Sequence, residues 1–348
     1  EKDILPAGEC DKRVTALREM FRSYKDMNGT QFVEAMTAAH FPLYFADALS
    51  RQFMADYAYM VGEWKLYTYA DTAPDFRDVD RYRMTEPGTL YPRYEKGEAK
   101  ATSISESEVH YGVQEFARQF DVSWQTIMND DLGKIKQTPQ RMAKAASRFE
   151  DGFVSALYDN ATTQGTLLGM GAVYAGTGRL TAPNLAIGVN AMMQRLDAGG
   201  NPMVINRIHL VVPSILKIQE HVLLESVLMP GVATNDKNVM RDFIAGVHYD
   251  PYIATARANV TWYLFADPSE VPAVPVVRLQ GVTGPWTYKK ASDIEMISGS
   301  APAAFQLGSF ATGDIEYAVE DIIGGWDNAA LVGVVDPNGL YYSSGTTP

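Results

Sequence analysis

The chain carries residue types that could do chemistry, but their spacing matches no familiar catalytic or metal-binding motif. Its five histidines are scattered and form neither HExxH nor His-x₃-His, the spacings that place two ligands on one helix face. The sequence also lacks GxSxG, which presents a serine nucleophile at a strand-to-helix turn. We therefore predict that the protein is not an enzyme and that it binds no cofactor and no metal.

Two acidic clusters are the remaining candidates for a cation site. Asn129, Asp130 and Asp131 could supply oxygen ligands, but one short cluster without further ligands is more typical of a turn that ends a helix. Glu106 and Glu108 alternate along a predicted strand edge. We interpret these two glutamates as solvated charges.

The composition limits the classes of function. The 348-residue chain has a net charge of −12, which argues against a nucleic-acid-binding surface because phosphate contacts need clustered Lys and Arg. A protein that merely encloses nucleic acid stays compatible, since an acidic wall would repel packed DNA. Cys10 is the single cysteine, so no intramolecular disulfide can form. With no apolar run of membrane-spanning length, we expect a soluble, intracellular protein.

A long helix is the main element that could position other parts. Thr138 and Pro139 fit a helix cap and a first helical position, and the helix should run to about Asn160. The stretch before it, residues 109–122, is predicted to be extended, and Ser123 to cap a short helix. Apolar residues at three- and four-residue steps should face the sheet of the helix's own domain: Met142, Ala145, Ala146, Phe149, Phe153, Ala156 and Leu157.

The regions around this helix indicate a mixed α+β protein. Residues 11–60 contain three predicted amphipathic helices. The glycine-rich residues 165–178 fit no phosphate-binding loop and are predicted to be a connector. Beyond them, helix, strand and helix alternate from Pro183 to about Val227, and strands and turns follow Val260.

The segment 63–108 has an unusual composition. It begins with WKLYTY, a strand-like alternation, and then becomes rich in Tyr, Arg, Pro and Gly. It has too few aliphatic residues for a core of its own and is too long for an ordinary loop. We predict an extended hairpin that packs on another chain; a flexible surface loop is the alternative. Its candidate contact residues are Arg77, Arg81, Tyr82, Arg83, Tyr91, Arg93, Tyr94 and Lys96.

Four motifs occur in an order that resembles the major capsid proteins of tailed phages with the HK97-type fold, including the Mu-like head subunits. They are YGVQEFARQFDVSWQTIMNDDLG before the long helix, LVVPSILKIQEHVLLES, VTWYLFADPSEVPAVPVVRLQG and GDIEYAVEDIIGGWDNAALVGVVDPNG. The resemblance covers most of the chain from about Glu63 onward.

The resemblance implies an α+β, HK97-type capsid fold with five parts. Residues 1–62 would be the N-terminal arm and residues 63–108 the extended β-hairpin, or E-loop. Residues 109–182 would be the peripheral domain with its spine helix at 138–160. Residues 183–311 would be mostly the axial α/β domain, and residues 312–348 would be strands that complete the sheets.

The resemblance also implies a function. The chain would be a structural major capsid protein that assembles with itself, as pentamers and hexamers, into an icosahedral head enclosing double-stranded DNA without sequence-specific binding. It would reside in the virion capsid after assembly in the host cytoplasm, with portal, scaffold or decoration proteins as further partners and no membrane. Lys96 and Lys100 occupy the segment in which some members form isopeptide bonds, but we expect non-covalent assembly. The alternatives are an encapsulin-like compartment for cargo enzymes and a soluble α+β enzyme.

Overall fold

The computed structural model describes a part of the chain that contains twelve strands, four α-helices between residues 132 and 225, and a further helical stretch at residues 51–58. Described are residues 51–58, 62–84, 92–99, 106–123, 132–197, 199–228, 230, 237–253, 260–291, 309–310, 312, 314–325 and 336–347. The arm helices predicted before residue 51 and the short helix predicted after Ser123 lie outside these residues, whereas residues 51–58 are helical. No helix within the described ranges is both long and apolar enough to cross a membrane.

Helices and strands alternate along the chain. The α-helices are α1 (Leu132–Tyr158), α2 (Ala161–Gly169), α3 (Ala182–Met193) and α4 (Lys217–Glu225). The first six strands are β1 (Tyr69–Ala73), β2 (Val79–Met84), β3 (Glu106–Tyr111), β4 (Val113–Val122), β5 (Ala175–Gly178) and β6 (Ile208–Pro213). The others are β7 (Ile244–Asp250), β8 (Trp262–Ala266), β9 (Pro275–Leu279), β10 (Trp286–Lys289), β11 (Ile315–Gly324) and β12 (Leu340–Thr347).

The chain divides into two units. The larger unit consists of Asp56–Arg118, Arg141–Trp286 and Val319–Pro348, and the smaller unit consists of the remaining residues. Within the described part of the smaller unit, the rings of Phe120 and Tyr317 stack at a centroid distance of 5.1 Å.

A five-stranded sheet with the order β5-β12-β8-β6-β7 is the centre of the larger unit. Its side chains alternate between two cores, as the pleat of a strand requires. Tyr263 and Phe265 of β8 lie in the core that contains Leu157 of α1. Trp262 and Leu264 lie in the core with residues of α3 and α4. Helices therefore cover both faces of the sheet, which confirms the α+β class.

The second five-stranded sheet has the order β1-β9-β11-β10, and β4 also pairs with β11. Strand β1 runs parallel to β9, with Tyr69 opposite Pro275. The prediction that WKLYTY is a strand was wrong, because Glu63–Leu66 forms a 3-10 turn. Trp64 of this turn is buried in the core, and the Thr68 hydroxyl donates to its carbonyl at 2.7 Å. Burial of the Trp64 ring thus outweighs the strand preference that the alternating residues of WKLYTY indicated.

Helix α1 begins at Leu132 rather than at Thr138, so Gly133 and Pro139 lie inside it. After its end at Tyr158, the Asn160 side chain accepts a hydrogen bond from the backbone N–H of Thr163 at 2.7 Å and caps α2. The predicted glycine-rich connector at 165–178 was therefore wrong. Its first residues complete α2, and residues 175–178 form β5.

The buried face of α1 differs from the predicted stripe. Ala145 is exposed and Phe149 is half-buried, whereas Phe153 and Leu157 are buried as expected. The buried residues at three- and four-residue steps are Ala143, Ser147, Glu150, Val154 and Leu157. The prediction failed because it followed hydrophobicity alone and excluded Ser147 and Glu150. Glu150 is buried in contact with Tyr57 and Arg278.

Candidate functional site

Strands β2 and β3 form an antiparallel hairpin that is a two-stranded sheet of its own. The register places Val79 opposite Tyr111 and Met84 opposite Glu106. The predicted extended hairpin is thus present. Its bounds differ from the predicted 63–108: β1 belongs to a five-stranded sheet instead, and the second strand of the hairpin extends to Tyr111.

The base of the hairpin is attached to β1 by a polar contact. The Arg81 guanidinium donates to the Asp71 carboxylate, with Nη2–Oδ1 at 2.7 Å, and its Nε lies 3.0 Å from the Tyr111 hydroxyl. That hydroxyl in turn donates to Asp71. Burial opposes ionisation of Asp71, but the hydrogen bonds from Tyr111 and Arg81 hold its pKa below the usual range. The contact links three strands and fixes the direction in which the hairpin leaves β1.

The structure does not bring all the predicted contact residues together. Arg81 binds Asp71 within its own chain, whereas Tyr82 is 61% exposed. Arg77 is exposed beside Asp75. Tyr91 and the side chain of Arg83 lie outside the described residues.

Three further predicted contact residues share the turn at 92–99. Tyr94 is 81% exposed, and its carbonyl accepts the Gly97 N–H at 2.8 Å. Arg93 donates to the Gly97 carbonyl at 2.6 Å, and Lys96 has a φ of 63°. The left-handed Lys96 closes this turn, in which the Tyr94 side chain is exposed.

A second polar group on the hairpin was missed by the sequence analysis. Asp80 lies directly opposite His110, and their Oδ1 and Nδ1 atoms are 2.8 Å apart. Glu108 is on the same face, with its Oε2 3.9 Å from His110 Nε2, and its side chain is exposed, as a solvated charge would be. Within the described ranges these three offer ligand atoms within 4.8 Å of one another, as a metal would require. Asp80 lies beside Glu108 and His110 only because of the register between β2 and β3, which no local sequence pattern predicts.

A buried ionic cluster lies beneath α1. The Arg278 guanidinium bonds the carboxylates of both Glu150 and Asp321, the latter at 2.7 Å. The Tyr57 hydroxyl also donates to Glu150, at 2.6 Å. Burial raises the pKa of Asp321 to about 6, although the positive charge of Arg278 opposes this shift. Two carboxylates thus share one cation, and the cluster joins α1, β9 and β11.

A small cleft beside α1 contains two further carboxyl groups whose pKa is raised, those of Asp151 and Asp250. It is lined by Glu63, Asp151 and Asp250, among others, and encloses about 150 Å³. Typical ligand pockets enclose ~300 Å³ or more. Asp250 accepts hydrogen bonds from the hydroxyls of Ser155 and Tyr158, and burial raises its pKa. These hydrogen bonds join α1 to the end of β7 and satisfy the Asp250 carboxyl within the fold. They indicate a structural rather than a catalytic role for Asp250.

Replacing Asp151 with Asn is expected to change the pH dependence of stability. Burial, followed by the charge of Asp250, raises the pKa of Asp151 from 3.8 to about 6. The pKa of Asp151 is higher in the folded than in the unfolded chain. The stability that depends on its protonation is therefore fully present below about pH 4 and is lost as the pH rises through about 6. The neutral amide of the Asp151→Asn variant carries no such penalty. After allowance for partial exposure, we expect a gain of about 1–2 kcal/mol at pH 7.5.

Urea unfolding of the unassembled subunit between pH 4 and pH 8 measures this effect. The exposed Asp75→Asn variant is the matched control, and its curve should follow that of the wild type. An Asp151→Asn variant with the wild-type slope between pH 4 and pH 6 would contradict the prediction.

Comparison with known proteins adds to this geometry. A family model described as phage capsid protein matches residues 106–342. Curated proteins give no match. Among solved structures, the chain is similar to a virus-like particle from Pyrococcus furiosus, with 12% identity, 85% of this chain and 98% of that chain covered, and a TM-score of 0.42. It is also similar to the capsid of the cyanophage P-SCSP1u, with 12% identity, 81% of this chain and 88% of that chain covered, and a TM-score of 0.47. A structure from Gordonia phage Cozz is similar with 12% identity, 79% of this chain and 84% of that chain covered, and a TM-score of 0.48.

Proposed function

This chain belongs to the phage capsid protein family, and from that membership we propose that it forms the pentamers and hexamers of an icosahedral head that encloses double-stranded DNA. It is a structural major capsid protein, it is not an enzyme, and its copies assemble into the shell of the virion. We propose that its α+β structure is the HK97-type capsid fold. We propose that assembly takes place in the host cytoplasm and is non-covalent. Portal, scaffold or decoration proteins are the further partners that we propose.

The observation that carries the proposal is the extent of the family match. Residues 106–342 run from the second strand of the hairpin through α1 to β12, so the match includes strands of both five-stranded sheets. The five-part division implied by the resemblance is proposed with two changes. We assign β1 to the body of the subunit, because it pairs with β9, and we extend the hairpin to Tyr111, where β3 ends.

We propose that the hairpin β2–β3 with the turn at 92–99 contacts neighbouring copies. The exposure of Tyr82 and Tyr94 supports this proposal, because aromatic side chains are common in the centres of protein interfaces. Arg81 has a different role in this proposal. It holds the base of the hairpin on Asp71 and so sets the direction in which the hairpin reaches out.

The acidic composition supports enclosure of DNA without specific binding. A net charge of −12 gives the wall of the shell the same sign as the phosphate backbone. Repulsion between wall and DNA keeps the packed molecule from adhering, so that it can leave the head.

Electron microscopy of particles formed by the full chain in its host, with nuclease digestion before extraction, tests the proposed function. We expect closed icosahedral shells that hold nuclease-protected double-stranded DNA. Shells that hold only protein cargo would favour an encapsulin-like compartment. A chain that stays a globular monomer at all concentrations would overturn the proposal.

A further inference from the structure

Helix α4 is apolar on two opposite faces. One face is buried: Leu223 and Leu224 lie in the core of the larger unit. The other face, together with the 3-10 turn before the helix, exposes Ile215 (65%), Ile218 (80%) and Val222 (58%). Single exposed apolar residues are ordinary, but these three recur at three- and four-residue steps on one side. A helix that is apolar on both sides is typical of one that is covered on both sides.

The exposed apolar surface continues beyond the helix. Val227 is 81% exposed and Leu228 is 47% exposed. Leu228 forms an isolated antiparallel bridge with Lys237, which defines its position. We call Ile215, Ile218, Val222, Val227 and Leu228 together the α4 stripe. These five residues come from one short segment of the sequence. Their aliphatic side chains lie outside the core and are exposed in the single subunit.

The α4 stripe is held rigidly. Glu220, on the buried side, accepts a hydrogen bond from the Tyr249 hydroxyl at 2.6 Å. Gln219 donates to the Leu180 carbonyl at 2.6 Å, and the Lys217 ammonium lies 4.5 Å from the Tyr249 ring centroid. These contacts fix α4 on the larger unit, so little ordering entropy would be lost when a partner covers its outer side.

We propose that the α4 stripe is a contact between neighbouring copies of this chain, separate from the hairpin contact. The proposal rests on the proposed function, because a shell built from many copies supplies the partner. Lys217, His221 and Glu225 lie beside the stripe and give it the polar rim of a protein interface. Bound DNA would need clustered cations instead, and this surface carries a mixture of charges.

The contact is of the heterologous kind. Closed rings of five or six copies form when one surface of a subunit meets a different surface of the next subunit. The α4 stripe supplies one of these two surfaces. Its outer residues therefore affect how many subunits associate, while the fold of the individual subunit depends on the opposite face of the helix.

Ile218→Asp is the variant that tests the α4 stripe, with Ile218→Val as the matched control. Because Ile218 is 80% exposed, we expect both variants to give wild-type circular dichroism and thermal unfolding as unassembled subunits. Asp would place a charge inside the contact. Sedimentation should then show that Ile218→Asp needs at least ~10-fold more protein than the wild type to form shells, while Ile218→Val assembles normally.

The outcomes separate this inference from the proposed function. If the wild type fails to assemble, the proposed function is wrong. If the wild type and Ile218→Asp assemble equally well, the shell stands and the α4 stripe is not a contact. Hydrogen exchange gives a second measurement, in which amides of 215–228 should be slower in shells of this chain alone than in subunits. Protection that requires an added accessory protein would overturn the assignment to a second copy.

Discussion

An Arg278→Ala variant is expected to lose about 3–5 kcal/mol of unfolding free energy at pH 7.5. The guanidinium is 14% exposed and bonds two carboxylates whose side chains are 5% and 6% exposed. Its removal leaves Glu150 and Asp321 buried close together without a counter-charge. Their mutual repulsion and their lost solvation both act against the folded state.

The loss should depend on pH in a defined direction. The pKa of Asp321 is already raised to about 6 with Arg278 in place, and removing the cation raises it further. A carboxyl group whose folded pKa is raised destabilises the fold only when it is ionised, so the deficit of the variant should shrink as the pH falls from 7.5 to 4. Urea unfolding of the unassembled subunit at both pH values measures it.

Arg241→Ala is the matched control for the Arg278 prediction. Arg241 pairs with Glu225 at 3.2 Å, but its side chain is 66% exposed, and pairs of this kind contribute ~1 kcal/mol or less. A triple variant, Arg278→Met with Glu150→Gln and Asp321→Asn, should recover part of the loss because it removes the uncompensated charges. If Arg278→Ala loses no more stability than Arg241→Ala, the cluster does not support the fold in the way argued.

The Glu150 cluster also shows why the sequence predicted the long helix but not its orientation. The period of apolar residues gave the helix and its approximate end, because these depend on local spacing. The rotation of the helix depends on partners that are distant in sequence. Arg278 and Asp321 come from β9 and β11, and no pattern near Glu150 indicates that its charge will be neutralised in the core.

The hairpin illustrates the same division between local and distant information. Its existence could be predicted from composition, since a long segment with few aliphatic residues cannot form a core of its own. The ends of the hairpin could not be predicted, because Trp64 is buried in the core and β1 pairs with β9. The grouping of Asp80 with His110 needed the β2–β3 register, and the α4 stripe needed the burial of the opposite face of the helix.

Shortening the hairpin is expected to leave the subunit folded and to prevent shell formation. The structure identifies the cut: Arg81 lies opposite Val109, so an Asn-Gly turn can join them and replace residues 82–108. This design keeps the bonds among Asp71, Arg81 and Tyr111 at the base. A deletion from Asp71 to Lys96 would instead remove part of β1 and disturb the sheet.

The expected size of the assembly defect follows from Tyr82 and Tyr94, the exposed tyrosines that the structure describes in the segment removed from the short hairpin. Each aromatic side chain can bury ~150–250 Å² in a contact. At about 25 cal/mol per Å², even one of them contributes ~4 kcal/mol before ordering costs. We therefore expect the short-hairpin chain to need at least ~100-fold more protein to form shells, measured by sedimentation and electron microscopy.

The matched control for the short hairpin is Tyr94→Ala in the full-length chain. It removes one exposed ring but keeps both strands, so its assembly defect should lie between those of the wild type and the short-hairpin chain. Thermal unfolding of both unassembled variants should remain within a few degrees of the wild type, since a 1 kcal/mol change shifts Tm by about 2–4 °C in proteins of roughly 150–250 residues and by less in longer chains. Normal shells from the short-hairpin chain would show that the contacts between copies lie elsewhere, with the α4 stripe as the next candidate. Loss of folding would show instead that the hairpin supports its own subunit.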